Sequence, residues 1–191
     1  MKNTITDCIM ASVKVKNAIL EDEVFIQRIE EAVSLILSAF RNGKRVYFCG
    51  NGGSAADAQH LSAELSGRFY MNRKALPAEA LHCNSSYLTA VANDFGYEEI
   101  YARLVEGMLE PGDVLIGFST SGNSPNIVKA FETARSRSIS TIGFTGLGGG
   151  KLASLTDILF NVPSDDTPRI QESHIMVGHI ICQLVEAQYF A

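Results

Sequence analysis

No apolar run in these 191 residues reaches the length of a membrane span, and the N-terminus has neither the apolar core nor the cleavage site of a secretory leader. Cysteine is scarce. Cys8, Cys49, Cys83 and Cys182 stand far apart and form no CxxC pair, so neither a disulfide framework nor a cysteine zinc site is indicated. Basic residues are outnumbered, and a net charge of -5 removes the general basis for nucleic-acid binding. These absences lead us to expect a cytosolic protein with free thiols. Apolar residues make up 46% of the chain, enough for one well-packed domain.

The stretch from Arg45 to Arg68 organises the rest. Val46 to Cys49 is an apolar run, Gly50-Asn51-Gly52-Gly53-Ser54 a glycine-rich turn, and after Ser54 the period becomes helical. Strand, glycine turn and helix in this order build an anion site. The turn follows neither the dinucleotide fingerprint nor the Walker A pattern. Ser54 is placed to cap the helix and to offer a hydroxyl to a ligand. His60 and Glu64 are four apart and share a helix face.

Two amphipathic helices precede that strand, over residues 3–20 and 24–40, stopped by Asn42-Gly43. They exceed what a minimal sheet needs and suit oligomer contact. After the first helix of the core come a basic, turn-rich segment at 67–77 and a short strand at 78–82. A helix follows from Ser85 to Ala92, interrupted by Asn93-Asp94-Phe95-Gly96 and resumed from Glu98 to Met108. Asp113–Phe118 is a buried strand, followed by a helix from Pro125 to about Arg137. Strands at 141–144 and 158–162 flank a short helix or turn at 152–155, and a long helix runs from Arg169 to about Tyr189. The alternation predicts an α/β fold: a parallel sheet of about five strands covered on both faces, a three-layer sandwich with ligands at the C-terminal strand ends.

Two further features bear on chemistry. Residues 119–124 read STSGNS, four hydroxyls around a glycine at the opening of a helix, a neutral donor cluster suited to phosphate. Glu64, His60, His174 and His179 are the candidate acids, bases or ligands, although His174 and, on its largely apolar stretch, His179 each read more readily as packing residues when taken alone. His82, beside a strand end, is incidental.

Together these motifs resemble the sugar isomerase (SIS) domain family, in its branch acting on seven-carbon phosphosugars. The resemblance covers nearly the whole chain. It rests on CGNGGSAADAQHLSAEL at 49–65, ANDFG at 92–96, FSTSGNS at 118–124, FTGLGGG at 144–150 and RIQESHI at 169–175, with His179 beyond. It implies a flavodoxin-like SIS domain at 41–191, with helices 1–40 on the core and in an oligomer interface. It implies an aldose–ketose isomerase that converts sedoheptulose 7-phosphate to D-glycero-D-manno-heptose 7-phosphate for ADP-heptose and lipopolysaccharide synthesis. The implied substrate contacts are Asn51, Gly52, Gly53, Ser54, Glu64, Asn93, Asp94, Ser119, Thr120, Ser121, Ser124 and Gln171. The implied zinc ligands, for one ion per subunit, are His60, Glu64, Gln171 and His179, and the implied acid–base pair is Glu64 with His179. The implied assembly is a cytoplasmic homotetramer.

Gln171 and His179 are eight residues apart, about 12 Å along a straight helix. Either Gln171 precedes the regular helix, or the two come from different subunits. Pro168, where some members carry an acid, and HCNSS at 82–86 depart from the family wording. Two other readings remain: a non-catalytic SIS protein that binds the bacterial replication initiator, and a phosphosugar sensor. Neither needs a carboxylate at 64 with an imidazole at 179, and this chain has both.

Overall fold

Asp22 separates the first two helices. In the computed structural model, which covers residues 1–191, α1 spans Lys2–Leu20 and α2 spans Glu23–Arg41. The Asp22 carboxylate accepts from the Phe25 N–H at 3.0 Å and so caps α2. α2 buries a full stripe from Phe25 to Phe40. α1 buries only Val15 and Ile19 and leaves Ile5, Ile9, Met10 and Val13 exposed.

The core alternates strand and helix. β1 is Val46–Gly50, α3 Gly53–Ser66, β2 Ala78–Ala80, α4 Ser85–Asp94 and α5 Ala102–Met108. β3 is Val114–Phe118, α6 Pro125–Ser136, β4 Ser140–Thr145, β5 Ile158–Asn161 and α7 Thr167–Tyr189. All five strands pair in parallel in the order β2-β1-β3-β4-β5. β1 shows why both faces are covered. Val46 and Phe48 join the apolar layer of α2, α3 and α7, while Tyr47 and Cys49 join that of α5 and α6. The expected three-layer α/β sandwich with extra N-terminal helices is the fold observed.

Several local expectations need correction. Ser54 does not cap α3: the helix begins at Gly53 after Gly52, no side chain caps it, and Ser54 is buried in its first turn. α4 continues through Asn93 and Asp94, because the break comes at Phe95-Gly96, where Gly96 has φ +99°. The helix expected from Glu98 to Met108 is divided into a 3-10 turn, Tyr97–Glu99, and α5. β2 keeps only three residues. Pro168 falls in the first turn of α7, where its missing N–H removes no helical bond.

Candidate functional site

β1 and β3 are neighbours whose chain continues to opposite sides, β1 toward β2 and β3 toward β4. That reversal opens a crevice at their C-terminal ends. Loops 50–54 and 119–124 both rise there. The backbone N–H groups of Gly52, Gly53, Thr120 and Ser121 make no hydrogen bond within the chain. The hydroxyls of Ser119 and Ser124 pair at 2.9 Å. A cleft of about 400 Å³ is lined by Asn51, Tyr97, Glu98, Ser124, Pro125 and Asn126. The arrangement offers free amides, hydroxyls and helix N-termini to an anion, without a lysine or arginine.

The glycine run at 146–150 supports this cradle from behind. Gly146 N–H donates to the Thr120 carbonyl at 2.8 Å, Leu152 N–H to the Gly122 carbonyl at 3.1 Å, and Lys151 N–H to Asn123 Oδ1 at 3.1 Å. Gly122 has φ +65°, and a Cβ there would meet the Gly149 carbonyl oxygen. No side chain fits between the two loops.

α3 and α7 pack side by side in the same direction. Gln171 lies against Gly53, and Gly178 lies against Leu61, so closely that a Cβ on Gly178 would run into the leucine. This approach brings three donors together. His60 Nε2 is 2.9 Å from Glu64 Oε1 and 3.4 Å from His179 Nε2. One donor atom from each residue lies within 4.8 Å of the others. Burial, reinforced by His60, holds the His179 imidazole below its ordinary pKa, and Glu64 opposes that shift.

This donor set fits zinc. Two nitrogens bound at 2.0–2.1 Å in a tetrahedron stand about 3.4 Å apart, the His60–His179 spacing observed. The side chains of His60 and Glu64 are 49% and 23% exposed, so the cluster lies at the surface of the chain. Gln171 does not join them. α7 is regular from Thr167, so Gln171 and His179 occupy one unbroken helix, and Gln171 sits at the anion loops. Of the two routes by which Gln171 could reach the cluster, an irregular start to the helix is excluded. One chain supplies three of the four expected ligands.

A latch over the cluster was not foreseen. Glu186, 2% exposed, accepts from the backbone N–H groups of Phe69, Tyr70 and Met71 and from Arg73 Nε at 2.8 Å. Arg73 in turn donates to the carbonyls of Glu64, Leu65, Gly67 and Lys74. The Phe69 ring then lies 5.7 Å from that of His179. The available signal was a lone glutamate in the apolar end of the last helix, opposite the basic 67–77 segment.

Residues 12–146 match the SIS domain family. The chain is 50% identical over 190 residues to the phosphoheptose isomerase of Clostridium acetobutylicum, covering 100% of this chain and 97% of that one. It is 47% identical to that of Sulfurimonas denitrificans, with the same coverage. The chain belongs to the phosphoheptose isomerase family. The fold agrees: the phosphoheptose isomerase structure from Francisella tularensis superposes with a TM-score of 0.93 at 34% identity, covering 97% of both chains. That from Neisseria gonorrhoeae gives 0.91 at 36% identity, covering 97% of this chain and 98% of that one.

Set against the contacts implied by that family, the chain sorts its residues into groups. Asn51, Gly52, Gly53, Ser54, Ser119, Thr120, Ser121, Ser124 and Gln171 gather at the crevice. His60, Glu64 and His179 gather about two helical turns along α3 and α7. Asn93 and Asp94 end α4, exposed and bonded to each other at 2.9 Å, with no hydrogen bond to either group.

His174 is a packing residue, as expected for a lone histidine on a helix. It is fully buried, bonds through Nε2 to the Thr145 carbonyl at 3.1 Å, and lies among Phe118 and Phe144. Nε2 must donate to that carbonyl, so Nδ1 is an acceptor without a partner. Burial pushes the imidazole down to about 4, against a smaller upward pull from the carbonyl bond. The folded value lies below the unfolded one, so the stability tied to the neutral ring is complete above about 6.5. It is lost progressively as pH falls toward 4, up to about 3 kcal/mol. Urea unfolding at pH 7 and pH 5 is expected to show wild type losing about 2 kcal/mol more than His174→Leu. Equal losses in the two proteins would refute this reading.

Proposed function

We propose that this protein is an aldose–ketose isomerase that converts sedoheptulose 7-phosphate to D-glycero-D-manno-heptose 7-phosphate. The observation that carries the proposal is the His60–Glu64–His179 cluster in a chain half identical to a phosphoheptose isomerase. The free amides and hydroxyls of loops 50–54 and 119–124 suit the phosphate.

The chain's own groups account for the proton movements. Glu64 turns Oε1 toward His60, and Oε2 has no partner in the chain. Oε2 takes a proton from C1 of the ketose, and O2 gains one, giving an enediol. The same oxygen returns a proton to C2 as O1 gives one up. His179 relays the oxygen-bound protons. Its Nε2 faces His60, so Nδ1 is the nitrogen that carries them. Zinc, when held by His60, Glu64 and His179, supplies Lewis acidity at the carbonyl. Phe69 shields one side of His179 from water.

We further propose a cytoplasmic homotetramer whose sites are shared between subunits, with Gln171, Asn93 and Asp94 reaching a neighbour's cluster. The exposed Ile5, Ile9, Met10 and Val13 on α1 support an interface, and four unpaired thiols suit a reducing compartment. No helix is long and apolar enough to cross a membrane. Mass in solution tests the assembly, and an active monomer would end it.

The deciding assay incubates pure protein with sedoheptulose 7-phosphate in deuterated water. Aldose product with deuterium at C2 supports exchange at a protein base, while full retention of hydrogen there favours a shielded base. No aldose product, with zinc supplied and five- and six-carbon phosphosugars tried alongside, rejects the isomerase. Protein purified without chelator is expected to carry about one zinc per chain, and chelation is expected to abolish turnover until zinc is returned. Full activity after chelation, with no metal found, would leave Glu64 and His179 as a bare acid–base pair.

A further inference from the structure

Asn51 is among the residues at the crevice, and its side chain is already engaged. Its Oδ1 accepts from Asn126 Nδ2 at 2.8 Å and from the Tyr97 hydroxyl at 3.1 Å. Its Nδ2 donates to Asn126 Oδ1 at 2.8 Å. The orientation of the pair is determined by the backbone, because the Ile127 N–H donates to Asn126 Oδ1 at 3.0 Å. The Asn126 oxygen must therefore face its own helix and Asn51 Nδ2, and the Asn126 amide nitrogen must face Asn51 Oδ1. Both lone pairs of Asn51 Oδ1 are used, and a single N–H remains.

We propose that Asn126 is a positioning residue that, with Tyr97, locks Asn51 as a pure donor and ties the two anion loops into one preformed cradle. Asn126 is 2% exposed and sits at the second position of α6, so it acts through Asn51. The lock joins residues 75 apart in sequence, one following β1 and the other following β3. The turn that carries Tyr97 is itself braced on α6, where Lys129 holds Glu98 at 2.7 Å and Glu99 at 2.5 Å. A saturated Oδ1 cannot accept from a sugar hydroxyl. The remaining N–H suits an anionic or carbonyl oxygen, which is what a phosphosugar brings to this crevice.

The inference rests on the isomerase reading for its substrate. The test measures KM for sedoheptulose 7-phosphate in Asn126→Asp, Asn51→Ala and the double variant. It measures inorganic phosphate affinity alongside. Aspartate keeps the size and the bond to Ile127 but presents an oxygen to Asn51 Oδ1, so the reciprocal pair breaks. Each single variant is expected to raise KM by about tenfold or more, with a smaller change in kcat. The double variant is expected to be no worse than Asn51→Ala, because both changes act through one amide. Effects that multiply in the double variant, or a KM within twofold of wild type in Asn126→Asp, would overturn the proposal. If Asn126→Asp does not fold, Tyr97→Phe at an exposed position decides. A rise of about threefold in KM or in the phosphate dissociation constant supports the lock, and no change refutes it. If wild type makes no aldose, the isomerase reading has failed, and the phosphate titrations of the same variants still decide the lock.

Discussion

Glu64→Gln is expected to lower kcat by about 10²–10⁴ while KM changes by only a few fold. In the proposed reaction the carboxylate moves a carbon-bound proton, a task that exists only on the way to the transition state. Glutamine keeps the size and one carbonyl oxygen toward His60 but cannot take a proton. Glutamate and glutamine have nearly the same shape, so the substitution leaves the packing of α3 intact although the side chain is only 23% exposed. His60→Gln separates ligation from proton transfer. His60 belongs to the same cluster but has no proton to move from carbon, so excess zinc should recover much of its loss and little of that of Glu64→Gln. A Glu64→Gln enzyme with kcat within threefold of wild type would remove Glu64 as the base.

Glu186→Ala should destabilise the protein by about 3–5 kcal/mol in urea unfolding. The reason is what it leaves behind. The Arg73 side chain is 3% exposed, and without Glu186 its charge stays buried with backbone carbonyls and the Phe190 ring, but no anion, for partners. Three consecutive amides, at Phe69, Tyr70 and Met71, lose their acceptor at the same time. Glu186→Gln retains an acceptor and should cost less. Burial alone would push the Glu186 carboxyl up, but the amides of Met71, Phe69 and Tyr70 together with Arg73 outweigh it and hold the group below its ordinary value. With the folded value depressed, this stability is present above the unfolded carboxyl pKa of about 4.3 and is lost as pH falls through the lower folded value. A loss below about 1 kcal/mol in Glu186→Ala would show that the 67–77 segment is held by other contacts.

The same variant connects stability to the site. Releasing the segment frees Phe69 from His179 and withdraws Arg73 from the Glu64 carbonyl. Glu186→Ala is therefore expected to lose turnover even under conditions where it remains folded, although Glu186 touches neither substrate nor proton.

The architecture was legible because its causes are local. The change from an apolar run to a helical period after Ser54, the buried run at 113–118 and the proline at the head of α6 each act within a few residues. α2 is stopped locally by Gly43, at φ +70°, and by the Asn42 amide, which donates to the Ser38 carbonyl at 2.8 Å. The pairing of His60 with Glu64 followed from helical spacing. Where local signals competed, the helix end moved by two residues, from Ala92 to Asp94. Asn93-Asp94 has turn character, yet Asn84 starts α4 by accepting from the Tyr87 N–H at 3.1 Å, and the helix runs on until Gly96.

What the sequence alone determined is the order of strands and helices, the two anion loops and the residue types able to bind phosphate and move a proton. Only the tertiary structure decided which of those residues meet. His179 reaches His60 because Gly178 lets α7 close on Leu61 of α3, a contact between residues 117 apart in the chain. Gln171 is carried to Gly53 by the same helix that takes His179 away from it. The Glu186–Arg73 latch and the Asn51–Asn126 pair likewise bridge distant segments. Periodicity and capping report the energy of neighbours along the chain. The relative placement of two helices depends on side-chain volume at their contact, which no local pattern encodes.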